Sequence, residues 1–349
     1  MSQDHAATAP RVRAAVARAT GREAAHLPVT RLAGHASMRS YWRVGAFPAS
    51  HVVMVMPPGA GPEEVTKGGR PAVDPFVDVQ RYLASIGVRV PAILAFEEDQ
   101  GLMVLEDLGD QMLETRLLAG DDRRALYEGA IDQLARLRAA AEASPHGCIA
   151  FSRAFDEDLY RWELHHFREW LLEAWKGAAL APAERAELDR EFDRIAAALA
   201  AEPRGFTHRD YQSRNLMVLA SGEQVVIDFQ DALLGPRQYD LVALLRDSYV
   251  ELDAPFVEAM LRRYLAQLEA AGGPRLHYPS FREVFDLLTV QRKLKDAGRF
   301  VFIDRVKKNP GFLVSIPASL RYVRDALARR PDLARLQELL ARHVPELAP

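Results

Sequence analysis

Residues 206–241 read FTHRDYQSRNLMVLASGEQVVIDFQDALLGPRQYDL, and the reading of this stretch decides the fold. His208-Arg209-Asp210 opens it, and Asn215 stands five residues after the aspartate. The apolar run Val225-Val226-Ile227 then delivers Asp228-Phe229 at its end. That run has the β-branched composition of a short strand. A loop, a strand and a turn therefore carry two carboxylates and one carboxamide.

Phosphoryl transfer needs such a set. A carboxylate orients or accepts the proton of the attacking hydroxyl, and oxygen ligands hold the magnesium that neutralises a triphosphate. Magnesium prefers hard oxygen donors and keeps several waters, so one amide and one carboxylate suffice beside phosphate oxygens. Asp210 suits the first task, and Asn215 with Asp228 suits the second. The spacing is that of a kinase catalytic loop, H-R-D-x-x-x-x-N followed by D-F. His-Arg-Asp alone is commonly just a solvated turn. The interval, the apolar run and the D-F pair together favour the functional reading.

The whole chain fits an ordinary globular protein. Its 349 residues allow one large or two modest domains, with 49% hydrophobic and 27% charged residues. A net charge of −3, from 45 basic and 48 acidic residues, gives no bulk attraction to nucleic acid. The single Cys148 excludes an internal disulfide and fits a reducing compartment. No stretch approaches eighteen consecutive apolar residues, so no membrane span is expected. The N-terminal twenty residues read as an amphipathic helix rather than a targeting signal, and the expected location is the cytoplasm.

Outward from the motif, the first third reads as strands. Residues 29–32 and 41–44 flank a glycine-containing loop, 33–40, that can fold over phosphates through backbone N–H groups and the Ser37 and Ser40 hydroxyls. Arg39 can add a charge-assisted contact. Residues 51–56, HVVMVM, form a third strand, and here the kinase pattern breaks. No lysine stands on it, Pro57-Pro58 follow, and the next helix, over 75–86, offers only Asp74 and Asp78 as acids. Lys67, in a Gly/Pro-rich loop, is a loose candidate for the phosphates. Strands over 90–96 and 101–105 lead into Glu106-Asp107-Leu108-Gly109, where a two-lobed kinase changes lobe and backbone groups meet an adenine edge.

From residue 122 the pattern is helical: 122–141, 155–175, 184–199, 240–250, 255–270, 281–300, 317–328 and 334–343. His165-His166 diverge by about 100° on a helix and make poor joint ligands. The basic run Gln291–Lys295 has no aromatic interleaving and reads as a solvated or substrate-lining helix face.

The runs THRDYQSRNLMV and VIDFQDALLGPRQYDLVALLRDSYV resemble the aminoglycoside-phosphotransferase-like kinases. More narrowly, with FREWLL at 167–172 and QRKLKDAGRF at 291–300, they resemble the bacterial anomeric kinases of N-acetylmuramate and N-acetylglucosamine that serve cell-wall recycling. The resemblance runs from about Pro28 to Leu327 and is weakest in the first third. It implies an α+β, bilobal, protein-kinase-like fold: a small antiparallel-sheet N-lobe, 1–107, for nucleotide, and a large, mostly helical C-lobe, 108–349, for catalysis and substrate. It implies ATP and Mg2+ as cofactors, an amino-sugar acceptor phosphorylated at its C1 hydroxyl, and a monomer binding neither nucleic acid nor membrane. Carried onto this chain, Asp210 is the catalytic base and Asn215 and Asp228 the metal ligands. Ser37, Arg39, Glu106 and Leu108 are candidates for nucleotide, and Arg214, Gln230, Asp231 and Arg246 for the sugar. The absent strand lysine is compatible with that subgroup and leaves open what anchors the phosphates.

Two other readings stay open from the sequence. One is a kinase for choline, an aminoglycoside or another sugar, with Glu163, Glu169, Asp247 or Glu251 facing a cationic acceptor. The other is a nucleotide-binding pseudokinase scaffold, which the missing lysine motivates and the intact Asp210, Asn215 and Asp228 oppose. A protein kinase is disfavoured, because Gly235-Pro236 follows the D-F pair almost at once and no A-P-E element appears.

Overall fold

The computed structural model describes residues 3–32, 39–56 and 73–349, without the side chains of residues 3 and 4. Ser37, Lys67 and the Pro57-Pro58 pair lie outside the described residues.

Helix α1 (Gln3–Thr20) precedes three strands, β1 (Val29–Arg31), β2 (Ser40–Val44) and β3 (His51–Val55). After α2 (Pro75–Ser85) come β4 (Ile93–Glu97) and β5 (Leu102–Glu106). These strands make one antiparallel sheet in the order β1-β2-β3-β5-β4. Alternation along the strands sends side chains to opposite faces. Trp42, Val44, Val53, Leu102 and Val104 meet Val12, Ala15 and Val16 of α1 on one face. Met54, Met103 and Leu105 join the main core on the other.

Helix α2 sits on that second face and reaches beyond the sheet. Asp74 caps it by accepting from Phe76 N–H, and Asp78 accepts from Ile149 N–H at 2.6 Å, so both acids serve the backbone. Phe76 packs against Phe229 with ring centroids 4.8 Å apart, and Tyr82 stacks on Phe206. One apolar core therefore runs from the sheet through α2 into the helices. Beyond β5, Asp107 accepts from Arg43 and Ser50, and Arg43 also binds Asp110, which ties the connecting segment to β2.

The rest is mostly helical: α3 (Leu113–Leu118), α4 (Arg123–Ala143), α5 (Glu157–Phe167) and α6 (Pro182–Ala200), then, after short strands, α7 (Tyr239–Leu245), α8 (Ala254–Ala270), α9 (Tyr278–Lys307), α10 (Ile316–Leu327) and α11 (Ala334–Ala341). Two small ribbons interrupt them. Strand β6 (Arg204–Thr207) pairs with β9 (Leu233–Pro236), and β7 (Leu216–Val218) with β8 (Gln224–Val226).

Several boundaries differ from the sequence reading for identifiable reasons. The helix expected over 155–175 is α-helical to Phe167 and then widens into a π-helix over Arg168–Trp175. Helix α7 stops at Leu245, and Asp247 turns inward to accept hydrogen bonds. Helix α9 runs on to Lys307 because no breaker intervenes before Asn309-Pro310. Gly298 lets it lie against the end of α5: a Cβ there would stand 2.6 Å from the Phe167 Cα.

Candidate active site

The loop that holds Asp210 leaves β6 and returns as β7, and the next turn leaves β8. Two non-glycine residues in these turns take left-handed backbone, Arg209 at φ 77° and Asp228 at φ 65°. Such strained positions persist only where surroundings over-determine them, and they concentrate at functional sites. Here the surroundings are explicit. The Asp240 carboxylate, at the start of α7, accepts from His208 N–H at 2.8 Å and Arg209 N–H at 3.0 Å. Buried Asp247 accepts from Ser213 N–H and Oγ–H.

His208 links loop and turn. Its Nδ1 accepts from Asp210 N–H at 3.2 Å, which fixes the proton on Nε2, 3.0 Å from the carbonyl oxygen of Ile227. Burial pushes its pKa below the ordinary histidine value, so the imidazole is neutral. Asn215 Nδ2 donates to the Asp210 carbonyl oxygen at 2.8 Å and stands 3.4 Å from Asp228 Oδ2. Asp210, Asn215 and Asp228 are thereby gathered at one place.

The Asp210 side chain is 41% exposed and, among the described residues, forms an ion pair with Arg292, whose own side chain is 1% exposed. Arg292 Nη2 donates to Asp210 Oδ1 at 3.0 Å and Nη1 to the Arg209 carbonyl oxygen at 2.7 Å. Burial pushes the Asp210 carboxyl up, but Arg292, Lys295 and Arg209 outweigh it and hold the group below the usual aspartate range. Asp228 goes the other way. Burial and then the neighbouring Asp210 push it up, and the Gln230 hydrogen bond and the charge of Arg39 offset only part. An anion-rich corner with hard oxygen donors fits a divalent cation, which favours the ionised form of such a group. Among the described residues no trio of His, Cys, Asp or Glu can hold a metal, so phosphate oxygens and waters would complete the shell.

The other sequence candidates separate by their contacts. Arg39 lies within electrostatic reach of Asp228 and Tyr41. Gln230 donates to Asp228 Oδ1 at 2.9 Å and to exposed Asp231 at 3.3 Å, so it braces the turn. Arg214 makes a two-pronged pair with Glu114 and lies 3.5 Å over the Tyr249 ring. Arg246 is buried between Phe285 and Tyr322 and makes no hydrogen bond to the Asp210 cluster among the described residues. The Glu106 carboxylate is taken by Arg89 and Ala92 N–H, its own N–H donates to the Ala92 carbonyl oxygen at 2.9 Å, and Leu108 packs on Met217 and Val225.

One sequence reading needs correction. Of the two alternatives for Gln291–Lys295, solvated or substrate-lining, the solvated one fails for Gln291, Arg292 and Lys293; all three are buried, because α9 packs behind the Asp210 loop and each finds a partner. Gln291 donates to Glu163 at 2.7 Å and Lys293 to Asp296 at 2.7 Å. Arg292, Asp240 and Asp247 went unassigned as supports of the loop. The i, i+3, i+4 charges of α9 and the Tyr-Asp-Leu following Gly-Pro were their visible traces.

Residues 28–278 match the phosphotransferase enzyme family. The chain is 39% identical to the N-acetylmuramate/N-acetylglucosamine kinase of Pseudomonas aeruginosa, over 88% of this chain and 86% of that one. It is 33% identical to the protein of the same name from Pseudomonas putida, over 90% and 87%. Among solved structures it resembles the choline kinase LicA of Streptococcus pneumoniae, with TM-score 0.60, 15% identity, and coverage of 92% and 99%. With its antiparallel sheet, helical lobe and Asp210 loop, the chain belongs to the phosphotransferase enzyme family, whose fold is that of the aminoglycoside and choline kinases.

Proposed function

We propose that the protein is an ATP-dependent kinase that phosphorylates the anomeric hydroxyl of N-acetylmuramate, N-acetylglucosamine or both, in peptidoglycan recycling. The carrying observation is the Asp210 carboxylate, open to solvent on one side and held by Arg292 on the other, beside Asn215 and Asp228. The acceptor follows from relatives that are kinases of these two sugars.

Asp210 orients the attacking hydroxyl and takes its proton. A carboxylate held below its usual range is a weak base, and an anomeric hydroxyl is more acidic than an ordinary alcohol, so the two are suited. Asn215 and Asp228 would hold Mg2+, which supplies charge neutralisation for the phosphates. Arg39, beside Asp228, is the cation placed to take over from the missing strand lysine. The Glu106 carbonyl oxygen and the Leu108 backbone are the candidates for the adenine, since the Glu106 N–H already donates to Ala92. Arg214, Asp231 and, less directly, Arg246 remain candidates for the sugar side.

The choline or aminoglycoside reading is weakened by where its carboxylates go. Three of the four are engaged: Glu163 and Asp247 are fully buried and hydrogen-bonded to Gln291 and Ser213, and Glu251 pairs with Arg321, while Glu169 is exposed. The test is ATP consumption with magnesium across N-acetylmuramate, N-acetylglucosamine, N-acetylgalactosamine, glucose, choline and kanamycin, with phosphorus NMR to locate the new phosphate. A sugar 1-phosphate is expected. Turnover with choline or kanamycin alone overturns the acceptor, and nucleotide binding without any turnover makes the protein a scaffold.

A further inference from the structure

Along α9, Arg292, Lys295, Asp296 and Arg299 recur at i, i+3, i+4 and i+7, and therefore share one face of the helix. At the near end Arg292 grips Asp210. One turn on, Asp296 binds Lys293 at 2.7 Å and Lys295 at 3.3 Å. The Lys295 and Asp296 side chains are 14% and 10% exposed, against 1% for Arg292 and 2% for Lys293, so the stripe opens outward at this pair. Tyr249 approaches from the segment after α7, within electrostatic reach of both Asp296 and Asp210. Farther along, Arg299 lies 4.8 Å over Phe302, which meets Trp170 edge-on.

Packing alone gives little reason for such a cluster, since ion pairs withdrawn from water contribute little net stability compared with apolar side chains. Its chemistry does fit a polyol. The Asp296 carboxyl resists the upward push of burial because Lys293, Lys295 and Arg292 outweigh it, so it is ionised. An ionised carboxylate accepts only, at about four lone-pair sites. The two lysines occupy two of these directions and leave the others for hydroxyl donors. From Arg292 to Asp296 the helix rises about 6 Å, comparable to the width of a sugar ring.

We propose that this stripe is the acceptor subsite: with the reacting hydroxyl at Asp210, Asp296 accepts from hydroxyls across the sugar ring and Lys295 pairs with an anionic substituent. The inference rests on the sugar-kinase reading and names the residues that would separate an acidic amino sugar from a neutral one.

The test compares Asp296→Asn and Lys295→Gln with the parent protein, using steady-state kinetics for N-acetylmuramate and N-acetylglucosamine. Calorimetric binding of a non-hydrolysable ATP analogue and thermal unfolding accompany it. Asp296→Asn is expected to raise KM for both sugars about 10- to 100-fold with analogue affinity unchanged. Lys295→Gln should lower the kcat/KM ratio of N-acetylmuramate to N-acetylglucosamine about 10-fold or more. Unchanged KM and ratio overturn the subsite, whether or not unfolding temperatures fall; a fall alone makes the cluster a structural ion pair. If the parent phosphorylates neither sugar but another hydroxyl compound, the sugar reading fails separately. The subsite then stands if Asp296→Asn raises KM for that compound, and falls if it does not.

Discussion

Arg292 holds Asp210 from behind, with Nη2 3.0 Å from Asp210 Oδ1 and Nη1 2.7 Å from the preceding carbonyl oxygen. One guanidinium thus fixes both the charge and the direction of the proposed base. A lysine has one ammonium on a flexible stem and cannot reproduce that fork. Arg292→Lys should lower kcat by roughly 10²- to 10³-fold, within the range of a misplaced general base. Its charge favours the carboxylate, so weakening that contact raises the Asp210 pKa and moves the acid limb of kcat to higher pH. Asp210→Asn should lose roughly 10²- to 10⁴-fold. A kcat profile that keeps its acid limb in Arg292→Lys would remove Arg292 from this role.

The metal corner predicts a different signature. Asp228→Asn and Asn215→Ala should each raise the magnesium concentration for half-maximal rate, and kcat in Asp228→Asn should fall by roughly 10²- to 10³-fold. Magnesium titration at saturating ATP reads this directly. Unchanged magnesium dependence in both variants would place the ion elsewhere.

For Arg39 the expectation is confined to nucleotide. Arg39→Ala should raise KM for ATP about 10- to 100-fold, the loss of one charge-assisted phosphate contact, while KM for the sugar changes little. Equal effects on both substrates would count against phosphate anchoring.

Asp240 caps two buried N–H groups at the strained Arg209 turn. Replacing it by Ala strands both donors and should destabilise the fold by roughly 3 kcal/mol or more. Urea unfolding measures the loss, and Asp240→Asn, which keeps an acceptor, should lose less.

His208 adds a pH dependence. Its folded pKa lies below the ordinary value of 6.5, so the unfolded chain binds the proton first as pH falls. Stability from the neutral imidazole is therefore complete above about 6.5 and is lost as pH drops from there toward the lower folded value. Between pH 7.5 and 5.5 the unfolding temperature should fall less in His208→Asn than in the parent. Parallel curves would show that another group dominates that window.

How much of this the sequence shows depends on how local each relationship is. Asp210, Asn215 and Asp228 fall within 19 consecutive residues, and the strand between them leaves little freedom, so their convergence is legible. Arg292 lies 82 residues from Asp210, and only the packing of α9 behind the loop distinguishes it from the basic residues beside it. Nearness along the chain does not fix a side chain's surroundings. Arg246 follows the motif closely, yet α7 ends just before it and leaves the side chain between two aromatic rings. The widening at Arg168–Trp175 was invisible because α- and π-helical turns bury nearly the same apolar pattern. The five strands of the sheet were legible because their apolar runs are short and bounded by turns.

Helix α2 gives the two lobes an unequal claim on the core. It precedes β4 and β5 in the chain, yet Phe76 lies on Phe229, Tyr82 on Phe206, and Asp78 on Ile149 N–H. A scissile bond after residue 107 would part the polypeptide without parting its interior. The amino-terminal piece would carry away the apolar wall that supports the residue next to Asp228, and each piece would present the scar of the other to water. The protein can be drawn as two bodies, but they share one apolar interior.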